Sequence, residues 1–401
     1  MKNTKVSDRL LTVPASPIRK LVPFAVEAKK KGVKVYHLNI GDPDIKTPEV
    51  MIDVLKKWSD NPISYGQSQG QPKFLEALAY YYNKLGYSFV KTNHIQVTTG
   101  GSEAISMVLF AVCAPGEEVI AFEPFYTNYN SYAAINGVKI TPVMTSGETG
   151  FHLPVRGEIE KKINKKTRAI LICNPSNPTG TVYTKDEMEM LVEISVKNNL
   201  FLISDEVYRE FVYDGKKYFS ILEYMKKYPD QMILLDSLSK RYSLCGARLG
   251  MIVSQNRDLM DGVLRIAQGR LSSGYIDQAM AEKLTEVKNS YFKEVHKEYQ
   301  TRRDVLYKGL KSIPGVFLEK PEGAFYTIVK LPVKDSEDFC QWLLTDFRYK
   351  NETVMIAPAA GFYGTKGMGK NEVRIAYVLN CNDLEKAIEI LRRALVEYNR
   401  K

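Results

Sequence analysis

Five short motifs carry the residue types from which a small-molecule site could be built. Gly100-Gly101-Ser102 would present free backbone N–H groups and a hydroxyl at a helix start, which suits a phosphate, although a Gly-Gly pair also makes ordinary turns. In Asn174-Pro-Ser-Asn177-Pro-Thr-Gly180 the two Asn-Pro steps hold the backbone extended and exclude helix. That stiffness either serves a rigid turn alone or aims the Asn177 amide at a ligand. Asp205, closing a nearly apolar run and opening Asp205-Glu-Val-Tyr208, would be partly desolvated. Unless it caps a helix, its carboxylate needs a cationic partner. Last come Ser237-Leu-Ser239-Lys240 and Gly246-Ala-Arg248-Leu-Gly250, where a lysine, an arginine, two serines and glycines share one short segment. A lone lysine among 56 basic residues carries no information. The conjunction carries more.

Such motifs need a scaffold that gathers them. From about Ile95 the chain alternates short apolar runs with longer amphipathic stretches. Strands are predicted at 94–99, 118–122, 138–143, 168–173, 200–204, 232–236 and 250–254, with helices at 103–113, 127–136, 156–163 and 185–198. Strands of continuous apolar character separated by helices make a mainly parallel sheet covered on both faces, a doubly wound α/β domain. Ligands of such sheets bind beyond the carboxyl ends of the strands, and each of the five motifs is expected to follow a strand. After about Asn256 the pattern changes to a long helical region at 277–311, strands near 325–330 and 374–378, and helices at 336–348 and 383–398. This predicts a smaller α+β domain. The expected division is an N-terminal segment, 1–44, on the small domain or a partner subunit, then a large domain, 45–285, and a small C-terminal domain, 286–401.

In type and order the motifs resemble the class I/II aminotransferases, fold-type I enzymes that use pyridoxal 5′-phosphate (PLP). The likeness runs from Asn39-Ile-Gly41-Asp-Pro-Asp44 to Asn371-Glu-Val-Arg374-Ile-Ala-Tyr377, nearly the whole chain. Thr98-Thr-Gly-Gly-Ser-Glu103 and Pro115-Gly-Glu-Glu-Val-Ile120 also resemble the aspartate aminotransferase-like branch. By this resemblance the large domain would bind PLP and Lys240 would carry it covalently. Asp205 would pair with the ring nitrogen, while Tyr208 and Asn177 would hydrogen-bond the 3′ oxygen. Gly101, Ser102, Ser237, Ser239 and Arg248 would surround the phosphate. Tyr126 falls where the family stacks an aromatic ring on the cofactor, a position often Trp in aspartate-specific members. Arg374 would grip the substrate α-carboxylate, helped by Asn177 and the backbone N–H of Gly41. Tyr65 would reach the phosphate of the neighbouring subunit, which implies a homodimer.

The implied reaction moves an amino group between an L-amino acid and a 2-oxo acid by a ping-pong mechanism, with aspartate and 2-oxoglutarate as the expected pair. Aromatic amino acids, alanine or prephenate remain alternatives, as does a PLP-dependent C–S β-lyase. A dicarboxylate needs a cation near its distal carboxyl, and Arg19 and Lys20 are candidates beside the plainer reading of a solvated helix start.

Other classes find no support. The net charge of +10 is scattered, without the basic stripe of a nucleic-acid reader. No run approaches the ~20 apolar residues of a membrane span. The five cysteines are odd in number and lack a CxxC pair, as expected of reduced thiols in the cytoplasm. Gly364-Thr-Lys-Gly-Met-Gly-Lys370 fits the first part of a P-loop, but Asn371 follows where Ser or Thr is required, so a flexible loop near the site's mouth is expected. His37, His94, His152 and His296 are isolated, so no metal site is expected.

Overall fold

A computed structural model describes residues 5–400; residues 1–4 of the expected N-terminal segment and Lys401 lie outside the described residues. The chain opens with α1 (Val22–Lys30), β1 (Lys34–His37), α2 (Glu49–Lys56) and α3 (Pro72–Lys84). In α3, Pro72 sits in the first turn, where no N–H is needed, and Phe74, Leu75, Leu78 and Tyr82 recur on one buried face. An alternation of strand and helix follows: β2 (Ile95–Thr99), α4 (Gly100–Val112), β3 (Glu118–Glu123), α5 (Asn128–Asn136), β4 (Lys139–Met144), α6 (Arg156–Glu160) and β5 (Thr167–Cys173). It continues through α7 (Lys185–Lys197), β6 (Phe201–Asp205), α8 (Leu222–Met225), β7 (Met232–Ser237), α9 (Leu238–Arg241) and β8 (Leu249–Val253). A reciprocal cap starts α7: Thr184 accepts the N–H of Glu187 while the Glu187 carboxylate accepts that of Thr184.

These strands form one seven-stranded sheet in the order β2-β8-β7-β6-β5-β3-β4. Neighbours run parallel except where β8 meets β2 and β7. Ile120, Ile170, Leu202 and Leu234 join one apolar layer, whereas Val119, Ala169, Ile203 and Ile233 join the other. The sheet is therefore covered on both faces, which is why its strands read as apolar runs. The Gly246–Gly250 motif follows β7 and α9 and leads into β8, the strand that runs against its neighbours. Because β8 runs backwards, the motif arrives at the carboxyl edge, with Gly250 opposite Thr98 of β2 and Ser237 of β7. A Cβ on Gly250 would lie 2.4 Å from the Gly100 carbonyl carbon, so a glycine is needed where β8 meets the start of α4.

The remainder comprises α10 (Arg257–Arg270), α11 (Tyr275–Ala281), α12 (Asn289–Lys311), β9 (Tyr326–Lys330), α13 (Ser336–Thr345), β10 (Glu352–Met355), β11 (Ala357–Pro358), β12 (Glu372–Ala376) and α14 (Cys381–Tyr398). The single helical region expected over 277–311 is broken. Met280, Ala281 and Leu284 bury against the large sheet, whereas Leu306 and Leu310 belong to a second core, and Lys288 between them is extended. That second core surrounds the antiparallel sheet β11-β12-β9 and the parallel pair β1-β10. Leu21, Ala25 and Val35 share it with Leu343, Val354 and Leu391. No helix among the described residues is long and apolar enough to cross a membrane.

Candidate active site

The carboxyl ends of β2, β5, β6 and β7 open onto a cavity of about 470 Å³, closed from the other side by Ser16, Arg19, Gly41 and Arg374. All the sequence-predicted site residues except Tyr65 line it: Gly41, Gly101, Ser102, Tyr126, Asn177, Asp205, Tyr208, Ser237, Ser239, Lys240, Arg248 and Arg374. Tyr65 is 83% exposed and lies outside the cavity of its own chain.

One end of the cavity is built for an anion. Gly100 starts α4 at φ +73°, and Gly101 and Ser102 occupy the first helical turn, where N–H groups have no intrahelical acceptor. Ser237 caps α9 by accepting the Ser239 N–H at 3.1 Å, and the two hydroxyl oxygens lie 2.9 Å apart. Arg248 adopts a left-handed backbone at φ 51°, and its guanidinium packs onto Gly100, where a Cβ would come within 2.4 Å of Nη2.

At the other end, Asp205 is 5% exposed on the last residue of β6. Its Oδ2 accepts the Tyr129 hydroxyl at 2.7 Å, and Oδ1 is buried with no side-chain partner among the described residues. Burial pushes this carboxyl up to about 6, against the Tyr129 hydrogen bond, which lowers it. Between the two ends, Lys240 Nζ donates to the Gly41 carbonyl at 2.8 Å. Gly41 was expected to offer its N–H; the structure shows its carbonyl in use. Only glycine fits here, since a Cβ would stand 1.8 Å from the Tyr326 hydroxyl oxygen.

Arg374, on β12, is 2% exposed. It donates through Nη1 to Asn177 Oδ1 at 3.1 Å and through Nη2 to the Asn39 carbonyl at 2.5 Å, while Nε has no partner among the described residues. The rings of Tyr326 and Phe362 lie 4.6 and 4.9 Å from the guanidinium carbon. Burial lowers the pKa of Arg374, yet the group stays cationic because it starts so high. From Asn177 a chain of contacts runs to the Tyr208 hydroxyl at 3.4 Å and on to Tyr326 at 3.2 Å. Burial holds Tyr208 well above the usual tyrosine range, so it remains a proton donor.

Sequence reasoning missed Tyr129, Tyr326 and Asn128. Asn128 donates to the Tyr126 hydroxyl at 2.8 Å and lines the cavity. Its place two residues after Tyr126 was the available signal. The two basic candidates separate cleanly: Arg19 reaches the cavity wall and makes no ion pair among the described residues, whereas Lys20 pairs with Glu337 at 2.6 Å. The glycine-rich segment 364–370 does not line the cavity and is tied down at its start, where the N–H groups of Gly364 and Thr365 each donate to Glu123 Oε2 at 2.8 Å. No cluster among the described residues could hold a metal ion.

The donor set fits PLP. The Asp205 oxygen without a side-chain partner among the described residues suits a protonated pyridine nitrogen, the start of α4 with the serines and Arg248 suits the phosphate, and a lysine amine lies on the same cavity wall.

The model for aminotransferase class I and II matches residues 33–391. An aspartate aminotransferase of Pyrococcus horikoshii is 30% identical over 97% of both chains. Aromatic-amino-acid aminotransferase 2 of Thermococcus litoralis is 31% identical over 98% of both. The crystal structure of an aspartate aminotransferase from Thermotoga maritima superposes with a TM-score of 0.87 at 29% identity, covering 98% of this chain and 100% of that one. With whole-chain likeness and site geometry in agreement, the protein belongs to the class I and II aminotransferases and is a PLP-dependent transaminase of the fold-type I architecture.

Proposed function

We propose that the amino donor is dicarboxylic, aspartate with 2-oxoglutarate as the acceptor, and that the cavity residues divide the work as their positions suggest. PLP, when bound, supplies an electron sink for the pair left at the substrate Cα. Lys240 Nζ carries the proton removed from Cα and returns it. Asp205 keeps a positive charge at the ring nitrogen, and Tyr208 and Asn177 hold the ring oxygen. Gly101, Ser102, Ser237, Ser239 and Arg248 take the phosphate. Arg374 binds the α-carboxylate in a fork that a lysine cannot reproduce, and Tyr126 covers the ring. Release of the first oxo acid before the second binds makes the kinetics ping-pong.

The observation that carries the dicarboxylate reading is Arg19, an arginine at the cavity wall with no ion pair among the described residues. A second reading, an aromatic donor, is favoured by Ile18, Ile40 and Ile105 on the same walls and by the Thermococcus litoralis relative. The proposed division is 1–44, 45–285 and 286–401, with the first segment on the small domain. A homodimer in which Tyr65 enters the neighbouring site is supported by its exposure beside Ile63, 57% exposed. A cytoplasmic setting suits five cysteines of which none is bonded to another.

A panel of amino donors against several oxo acids tests the substrate. Aspartate should exceed phenylalanine in kcat/KM by about tenfold or more, the worth of one good charged contact; the opposite ranking selects the aromatic reading. Ammonia and pyruvate released from cysteine without amino transfer would select the lyase. Lys240→Ala tests the site itself, with loss of the bound cofactor's visible band and about a thousandfold or more of turnover.

A further inference from the structure

Tyr129 is 1% exposed and sits in the first turn of α5, three residues beyond Tyr126. Its ring meets Tyr126 edge to face with centroids 5.5 Å apart and stacks on Phe125 at 6.4 Å. The Tyr129 N–H donates to the Tyr126 carbonyl at 3.0 Å. Packed in this way, its hydroxyl has a fixed direction, and at 2.7 Å it meets Oδ2 of Asp205. The other carboxylate oxygen is buried without a side-chain partner among the described residues, in a residue that lines the cavity.

We propose that Tyr129 is a positioning residue of the transamination site: by occupying one oxygen of Asp205 it fixes the carboxylate plane and leaves a single oxygen to face the cofactor's ring nitrogen. This inference rests on the reading of Asp205 given above. Without the hydroxyl, the buried carboxylate would lose its side-chain donor and keep only the Val207 backbone N–H. The charge would be harder to hold and the plane free to turn. Tyr129 acts as a constant donor, since burial keeps its own proton on far beyond neutral pH. The other ionisable groups that bear on Asp205 include the Cys173 thiol and the Tyr126 phenol, both held protonated by burial, and the carboxylates of Glu206 and Asp236. Those two carboxylates are paired with the buried guanidinium groups of Arg209 and Arg241, which leaves Tyr129 as the side-chain donor to Asp205. The same short segment thus carries Tyr126 at the cavity wall and the donor that sets Asp205.

The test compares the wild-type holoenzyme with Tyr129→Phe, Asp205→Asn and the double variant. Phenylalanine keeps the ring and its stacking, so a merely structural role predicts little change. On the proposal, Tyr129→Phe raises the acid limb of kcat/KM by about one pH unit, a tenfold loss just below that limb. The pH titration of the bound cofactor's visible absorbance moves in step, and cofactor dissociation speeds up about tenfold. In the Asp205→Asn background, the Tyr129→Phe effect on dissociation shrinks to less than twofold, because the carboxylate it acts through is gone. An unchanged limb and titration in Tyr129→Phe, or effects that simply multiply in the double variant, overturn the inference. If Asp205→Asn itself leaves spectrum and dissociation untouched, the underlying reading of Asp205 fails instead. Should Tyr129→Phe bring lower thermal stability with no shift of the limb, its role is packing and the proposal is wrong.

Discussion

Arg374 and Asn177 are 197 residues apart in the chain, yet Nη1 of the arginine donates to Oδ1 of the asparagine at 3.1 Å. The contact joins the turn after β5, in the seven-stranded sheet, to β12, in the three-stranded one. The proposed carboxylate site is therefore made jointly by both sheets, and the guanidinium is held by protein on two sides before any substrate arrives.

That geometry makes Arg374→Lys informative. A lysine supplies one point charge where the arginine spans the Asn177 amide and the Asn39 carbonyl. The expected result is a loss of about a hundredfold in kcat/KM, roughly 2.7 kcal/mol of transition-state binding, carried mostly by KM. The absorbance of the bound cofactor should stay as in the wild type. Loss of cofactor would mean that Arg374 belongs to the phosphate end and that its assignment is wrong.

Arg19 and Lys20 are adjacent, both cationic and both exposed, which makes each a control for the other. Arg19 reaches the cavity wall, whereas Lys20 spends its charge on Glu337. With a dicarboxylic donor, Arg19→Ala should lower kcat/KM for aspartate about tenfold and leave phenylalanine nearly unchanged. Lys20→Ala should change neither by more than about twofold, as an exposed ion pair contributes little. Equal losses for both donors in Arg19→Ala would show that the residue supports the N-terminal segment and reads no distal carboxyl.

Why some of this was legible beforehand is itself physical. Asp205, Asn177 and Lys240 lie where apolar strands end, so polar residues there stand out from their neighbours and the alternation predicts a common edge. The direction of β8 was not legible, because a fully buried strand reads the same whether parallel or antiparallel; only its partners Thr98 and Ser237 reveal it. Tyr129 and Tyr326 were hidden for another reason. Their partners lie 76 and 118 residues away, and no local spacing distinguishes two of 25 tyrosines. The pairing of β1 with β10 is equally invisible, since it matches two four-residue strands through a register set by Lys34 opposite Glu352.

His152 was read as an isolated histidine, and the structure gives it two acidic partners. Nδ1 lies 3.0 Å from Oε2 of Glu187, and Nε2 lies 3.6 Å from Oε2 of Glu322. Glu187 belongs to α7 beside the large sheet, while Glu322 is in the turn ahead of β9 and also accepts the Val182 N–H at 3.2 Å. The hydrogen bond to Glu187, followed by that to Glu322, raises this imidazole to about 9 against the cost of burial. The folded value lies above the unfolded one of about 6.5, so protonation favours the folded state. The stabilisation is complete below pH 6.5, declines from there, and is gone once pH has passed about 9. His152→Gln should therefore unfold about 1.5 kcal/mol more easily than the wild type at pH 6, the scale of a charged hydrogen bond. The two curves should converge above pH 9.5 when thermal unfolding is followed across pH. A gap that stays constant to pH 10 would show that shape and packing hold this junction, and that the proton on His152 has no part in it.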